Sequence, residues 1–137
     1  MKDVINKINN CNSLSEIDVK DFLDVDTGYA HIVAKKSKKI NTTQIRKFFA
    51  ALKKMEQKET WDEIETEFYL LKPRMAVAVG RKNLPKDFYN VIMAAMSKVD
   101  NVADDKLKMK NFDMFVKFFE AIVAYHKYEE EVSKGRY

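Results

Sequence analysis

The segment TTQIRKFFAALKKM, residues 42–55, is the clearest helix signal in this chain. Its large apolar residues recur every three or four positions and therefore share one face of a helix: Ile45, Phe48, Phe49, Leu52 and Met55. Asn41 or Thr42 is suited to cap this helix, and Gln44 is placed to complete a capping box. An amphipathic helix of this kind needs other helices to cover its apolar face, and the flanking sequence supplies them.

Three apolar patterns further along the chain predict helices with the same period. They span Trp61 to Arg81, Phe88 to Val99, and a last helix that Asn111 would cap. The apolar stripes are Ile64, Phe68, Leu71, Met75 and Val79 in the first, and Phe112, Phe115, Val116, Phe119, Ile122 and Val123 in the last. Pro73 should kink or restart the first of these helices, and Pro85 suits the first turn of the second.

The amino-terminal part of the chain is less regular. Residues 1–12 are equally suited to a short helix and to a frayed end. A Ser-x-x-Glu capping box at residues 13–16 predicts a helix that stops near Gly28. The short apolar piece after Gly28 has no clear type, and the lysine-rich stretch 35–39 predicts an exposed connector. At the other end, the charged tail from Glu129 is expected to fray.

The composition favours one all-α domain over residues 1–137, a compact bundle of about five helices. Only three Gly and two Pro occur, which is few for a turn-rich all-β fold. Cys11 is the single cysteine and cannot form an internal disulfide, which favours the cytoplasm. No stretch has the form of a signal peptide, and none approaches the roughly 20 apolar residues of a membrane span.

Charge is strongly segregated along the sequence. Residues 27–55 carry eight Lys or Arg and no acid, and residues 68–86 carry five more, again with no acid. The rest of the chain holds twelve basic and twenty-one acidic residues, so the net charge of +4 conceals two basic windows. Such sorting is typical of a basic face that meets a polyanion, of which a phosphate backbone is the commonest.

The polar residues do not converge on a catalytic or metal-binding pattern. His31 and His126 lie outside any metal-ligand spacing, so the sequence predicts no cofactor, no metal and no enzyme. His126 continues the apolar stripe of the last helix, which favours a partly buried, hydrogen-bonded histidine at the edge of the core. The aromatic residues fall on core stripes and not on an exposed platform for stacking bases.

The basic residues of the windows form short lines on predicted helices. Arg46 and Lys53 share one line, and Lys47 and Lys54 share the next, with an alanine between the two cations of each line. Arg74 and Arg81 are seven residues apart, or roughly 10 Å along one face. We expect the Arg46/Lys53 line and the Arg74/Arg81 line to form one surface that binds phosphates without reading bases. The alternative is that these basic residues lie on ordinary solvated helix faces.

Three segments resemble the small helical subunit of type III-A CRISPR effector complexes, the Csm family. The first is residues 42–49, the second is LKPRMAVAVGR at 71–81, and the third is FFEAIVAYHK at 118–127. The resemblance spans about residues 42–127 in order and with plausible spacing. It departs from the family pattern near Val77, where an aromatic residue would be expected. Residues 1–39 carry no matching motif.

The resemblance implies a non-catalytic all-α subunit of a prokaryotic ribonucleoprotein. Its implied partners are CRISPR RNA and target RNA, the other Csm subunits, and copies of itself in a filament whose ends would pair as a homodimer in isolation; no membrane is involved. The implied RNA contacts are Arg46, Lys53, Lys54, Arg74, Arg81 and Lys127, with Lys47, Lys82 and His126 as secondary candidates. A different interpretation remains open, in which the chain is a helical protein–protein module whose basic face binds an acidic partner.

Overall fold

A computed structural model describes residues 1–37 and 39–135 of the chain. These residues form seven α-helices and no strand, which confirms the all-α class and corrects the number of helices. The helices are α1 Lys2–Asn10, α2 Val19–Leu23, α3 Tyr29–Lys36, α4 Thr42–Glu56, α5 Trp61–Gly80, α6 Lys86–Ser97 and α7 Asp105–Ser133. A 3₁₀ turn, Leu14–Glu16, lies between α1 and α2.

The long helix α7 is the centre of the bundle. It packs against α3, α4 and α5, and its buried face is rich in phenylalanine: Phe112, Phe115, Phe118 and Phe119. Phe68 of α5 meets the rings of Phe112 and Phe115 edge-on, at centroid distances of 5.7 and 5.8 Å. Edge-to-face pairs add to the free energy of apolar burial, so these contacts fix α5 on the core.

The apolar stripes predicted for the long helices are largely confirmed. In α4 the buried members are Ile45, Phe48, Leu52 and Met55. Phe49 of α4 is only half-buried, as are Val79 of α5 and Val123 of α7. In α5 the buried residue at the end of the stripe is Ala78, in place of the predicted Val79. The periodic pattern therefore placed the buried faces correctly, with an error of about one residue at their edges.

Residues 1–12 take the helical alternative. Val4 and Ile8 of α1 are fully buried, and α1 packs on α6. An isolated helix this short is marginal in water, so its stability comes from this packing rather than from its own hydrogen bonds.

The helix predicted to begin at the Ser13–Glu16 capping box begins later, at Val19, so its predicted start is wrong. Ser13 is extended and makes no capping bond with its side chain, while the Glu16 carboxylate accepts from the backbone N–H of Asn12 at 3.0 Å. Leu14 is buried, and its backbone N–H donates to the carbonyl of Lys98 at 3.0 Å. This contact with a distant residue holds the segment as a 3₁₀ turn, and the capping box is not formed.

The role predicted for Gly28 is also corrected. Helix α2 begins after Asp18, which caps it, and ends at Leu23, well before Gly28. Gly28 instead precedes α3, and the apolar piece of unclear type after it is the start of that helix. A side chain at Gly28 would collide with the backbone of Asp24, so this glycine is required by a close approach of two chain segments.

The lysine-rich stretch after α3 is not uniformly an exposed connector. Lys35 and Lys36 belong to α3, Ser37 is buried and Lys39 is exposed. Lys38 was predicted to be part of the same connector and lies outside the described residues. The connection between α3 and α4 is therefore shorter than the sequence suggested.

Pro73 does not restart its helix, and Pro85 lies one position before the place expected for it. Helix α5 continues through Pro73 without restarting. Pro73 lies on the exposed face, where water can satisfy the carbonyl that loses its helical hydrogen bond. Pro85 is the cap residue of α6, one position before the first turn.

The prediction that Asn111 caps the last helix is wrong. Helix α7 begins after Asp104, whose side chain accepts from the N–H of Lys106 at 3.0 Å. Asn111 lies inside α7 and is fully buried. Its side chain accepts from the N–H of Ser15 at 2.8 Å and donates to the carbonyl of Val99 at 3.0 Å, so it joins three parts of the fold.

The expected fraying from Glu129 is wrong as far as Ser133, where α7 ends. The Glu129 carboxylate accepts from His31 Nε2 at 3.1 Å. The neighbouring Glu130 carboxylate accepts from the Thr42 hydroxyl at 3.0 Å. These two bonds attach the end of α7 to α3 and to the start of α4, which is why the charged segment stays helical.

His31 is a buried polar side chain of α3 that no sequence pattern distinguishes. Its Nδ1 accepts from the backbone N–H of Asp26 at 2.8 Å, so the ring proton resides on Nε2, which donates to Glu129. The ring stacks on Tyr125 with a centroid distance of 4.2 Å and meets Tyr128 edge-on. His31 thus connects α3 with α7 through Nε2 and its two ring contacts, and with the loop before α3 through Nδ1.

Candidate nucleic-acid interface

A groove of about 360 Å³ runs between α4 and α5. The two helices are joined by a short turn at residues 57–60 and are therefore antiparallel neighbours. The groove is lined by Gln44, Lys47, Phe48, Ala51, Leu71, Arg74, Val77, Ala78, Arg81 and Asn83. All of these residues come from the two acid-free windows, so the packing of α4 on α5 brings both windows to one place.

Three cations line this groove: Lys47 from α4, and Arg74 and Arg81 from α5 and its end. All three are exposed. The closest charge partner of Arg74 is Glu67, at 3.6 Å and also exposed, a pair of little energetic weight in water. The three cations remain available to an anion, because exchanging a weak exposed carboxylate for a phosphate costs little.

The floor of the groove is apolar. Phe48, Leu71 and Ala78 close it from below and are buried, while Ala51 and Val77 form its sides. Val77 is 51% exposed. The small side chains keep the groove open, and larger residues at these positions would fill it.

One end of the groove carries two side-chain amides, those of Gln44 and Asn83. Asn41 bonds to the backbone of both residues. Its side-chain oxygen accepts from the N–H of Gln44 at 3.0 Å, and its own N–H donates to the carbonyl of Asn83 at 2.9 Å. Because that N–H is occupied, Gln44 does not complete the predicted capping box. Its amide is left at the groove instead.

Replacing Asn41 by Ala should lower the free energy of unfolding by about 1 kcal/mol, the usual effect of losing a helix cap. Thermal or urea unfolding followed by circular dichroism would measure this. Asn41→Asp is the matched control, since aspartate keeps the accepting oxygen and should stay within about 0.5 kcal/mol of wild type. An equal loss in both variants would contradict the capping role.

The Lys54 position lies in a second hollow of about 250 Å³ further along the same two helices. It shares Ala51 with the first groove, and its other charged residues are Lys58, Glu63 and Glu67. The two carboxylates make this hollow electrostatically mixed. Lys54 is therefore close to the candidate groove, but in surroundings less favourable to an anion.

The expected surface made of Arg46, Lys53, Arg74 and Arg81 is not the one that the packing of α4 on α5 forms. Arg46 and Lys53 do not line the groove. Lys53 pairs with Glu56, and this hydrogen bond raises the pKa of Lys53. Lys47 occupies the place expected for Arg46, because successive residues on a helix point about 100° apart and only one of the two lines can face α5.

Lys82 follows Arg81 in the loop after α5. It is exposed and does not line the groove. Its backbone φ is +63°, in the left-handed region that ends many helices, and its N–H donates to the carbonyl of Val79 at 2.9 Å. The residue therefore contributes to the helix end, and its ammonium group adds charge beside the groove.

Lys127 and His126 lie on α7 and are not brought together with the groove residues. Lys127 pairs with Glu131 at 2.9 Å and lies near Glu130. His126 is 4% exposed, and burial lowers its pKa, so the ring is uncharged at neutral pH. No hydrogen bond to His126 is found in the described part of the chain, contrary to expectation.

Within residues 1–37 and 39–135, no three His, Cys, Asp or Glu side chains are grouped as metal ligands would be. Over the same residues, no helix combines the length and apolar character needed to cross a bilayer. What the groove offers chemically is three exposed cations around an apolar floor, with two amides at one end. The sequence predicted Arg74 and Arg81 as main RNA contacts and Lys47 as a secondary one. It did not indicate the amides of Gln44 and Asn83.

Comparison with protein families gives one match. The family model described as Csm2 Type III-A matches residues 20–132, and thus most of the chain, including the groove and all but the last residue of α7. No curated protein and no solved structure matches the chain significantly.

Proposed function

This chain belongs to the Csm2 Type III-A family and is accordingly a subunit of the type III-A CRISPR complex; we propose that it serves there as a non-catalytic RNA-binding subunit. In this proposal it binds the duplex of CRISPR RNA and target RNA through the phosphate backbone, in the prokaryotic cytoplasm. Guide pairing supplies the sequence specificity of such complexes, so a subunit of this kind needs only shape and charge.

The α4–α5 groove is the observation that carries this proposal. Lys47, Arg74 and Arg81 converge there without a carboxylate in the lining. Cations of this kind bind phosphates independently of sequence, by displacing the counterions around the nucleic acid. Lys54 and Lys82 lie beside the groove and would extend the contact, while Arg46 and Lys53 would meet a backbone that wraps over the outer face of α4.

No catalytic role is proposed. The groove lining contains amides, cations and apolar side chains. It lacks the nucleophile or general base, such as a serine, cysteine, histidine or carboxylate, that phosphoryl chemistry would recruit. The function that fits such a lining is to bind and position an RNA strand.

Assembly contacts are also proposed, with the other Csm subunits and with copies of this chain along the RNA. Charge segregation supports the contact between copies, since the basic groove lies on α4 and α5 and acids cluster at the end of α7. Lys127 then has a role in orienting that acidic end through Glu131 and not in contacting RNA. In isolation the same surfaces would support a homodimer.

Salt dependence of RNA binding tests the proposal. We expect the logarithm of the affinity for a short RNA duplex to fall linearly with the logarithm of the salt concentration, with a slope of about −3 for three phosphate contacts. Fluorescence anisotropy over a salt series would measure it. Polyglutamate serves as the comparison: tighter binding of polyglutamate than of RNA at low salt would favour the alternative, a module for an acidic protein partner.

A further inference from the structure

The α4–α5 groove has an apolar floor that phosphate binding does not require. Phosphate oxygens are recognised by cations and N–H donors, and they gain nothing from contact with Phe48 on the floor or with Ala51 and Val77 at the sides. Apolar surface left open at a polar site costs free energy unless a ligand covers it. The floor therefore indicates that the occupant has an apolar face as well as negative charge.

The amides at the end of the groove point to the same kind of occupant. Gln44 and Asn83 are half-buried, and in the described part of the chain neither side-chain amide has a hydrogen-bond partner. Each carries a donor and an acceptor side by side. That pairing matches the polar edge of a nucleobase, whereas a phosphate offers acceptors only.

The size of the groove distinguishes between a duplex and a single nucleotide. Its volume of about 360 Å³ lies at the small end of the range for small-molecule sites, roughly 300–1,000 Å³. A stacked, paired base keeps its faces covered by its neighbours and could not reach the floor. An unpaired base that has left the stack can do so, with its flanking phosphates at the rim.

From these observations we infer that the groove accepts one unpaired nucleotide of an RNA strand. The base lies on the apolar floor beside Val77, its polar edge meets the amides of Gln44 and Asn83, and the adjoining phosphates contact the three cations. This inference rests on the proposed RNA-binding function and adds a site for a base to it. An apolar side chain of an acidic protein is the competing occupant that the experiment must exclude.

Filling the groove tests the inference from the protein side. Val77→Trp places a large side chain in the groove, and Ala76→Trp is the matched control because Ala76 is also exposed on α5 but does not line the groove. We expect Val77→Trp to bind single-stranded oligouridine about 10-fold more weakly, which corresponds to one lost base contact. It should bind inorganic polyphosphate as wild type does, and Ala76→Trp should change neither affinity.

Removing the base tests it from the RNA side, with no change to the protein. A strand with several abasic sites keeps its phosphates but has no bases at those positions, and wild type should bind it about 10-fold more weakly than the intact strand. Equal affinity for both strands, or an equal loss for both ligands in Val77→Trp, would overturn the base site and leave the proposed function intact. Failure of wild type to bind any RNA would overturn both.

One further result would also contradict the inference. If an acidic peptide with leucine side chains bound wild type more tightly than oligouridine, and Val77→Trp abolished that binding, the groove would be a site for a protein side chain.

Discussion

Changing Lys47, Arg74 and Arg81 to Glu should weaken RNA binding by at least about 100-fold while leaving the helix content unchanged. Each lost phosphate contact removes about one unit from the salt slope, so the residual binding should depend only weakly on salt. The three introduced carboxylates also repel the backbone. All three positions are exposed, so the substitutions leave the core intact.

The matched control changes three exposed lysines elsewhere, Lys20, Lys110 and Lys117, to Glu. Both variants have the same net charge, and a large loss in both would show that only total charge matters. A third variant, with Arg46 and Lys53 changed to Glu, separates the observed groove from the surface that the sequence favoured. A larger loss in that variant than in the groove variant would contradict the assignment to Lys47. Crosslinking to RNA in the copurified complex gives an independent measurement of RNA binding for each of the three variants.

His31→Ala should lower the free energy of unfolding by about 3 kcal/mol. The substitution leaves a cavity beside Tyr125 and removes the acceptor for the Asp26 N–H. It also removes the donor to Glu129, which attaches the end of α7 to α3. Urea unfolding monitored by circular dichroism would measure the loss.

Glu129→Gln is the comparison for His31→Ala. Its amide oxygen can still accept from Nε2, so only the contribution of the charge is lost, and we expect less than about 1 kcal/mol. If the two variants were equally destabilised, the hydrogen bond to the charged Glu129 carboxylate would account for the effect. A loss below about 1 kcal/mol in His31→Ala would show that water replaces the ring.

The long helices could be predicted because their signals are local. In α4, α5 and α7 the apolar residues alone define which face is buried. Several errors arose where a backbone or side-chain polar group bonds to a distant residue. Asn111 resembles a cap in the sequence, but its partner Ser15 is 96 residues away. The short helices α1 to α3 depend on packing against α6 and α7, for which a short segment carries no signal.

The residues of the candidate site likewise include some that local sequence predicts and others that depend on distant contacts. The spacing of Arg74 and Arg81 was enough to place them together on α5. The sequence of α4 alone does not determine whether Arg46 or Lys47 faces the groove, because this depends on which side of the helix α5 covers. The amides of Gln44 and Asn83 come from segments that are joined through Asn41, and no sequence motif predicts this contact.

The central position of α7 has a consequence for synthesis on the ribosome. The Tyr125 hydroxyl donates to the carbonyl of Leu23, 102 residues earlier, and the apolar faces of α3, α4 and α5 close on α7. While the nascent chain is emerging, those faces have no partner, and exposed apolar surface of this kind favours aggregation. The core can therefore be completed only after Tyr125 has been synthesised and has left the ribosome.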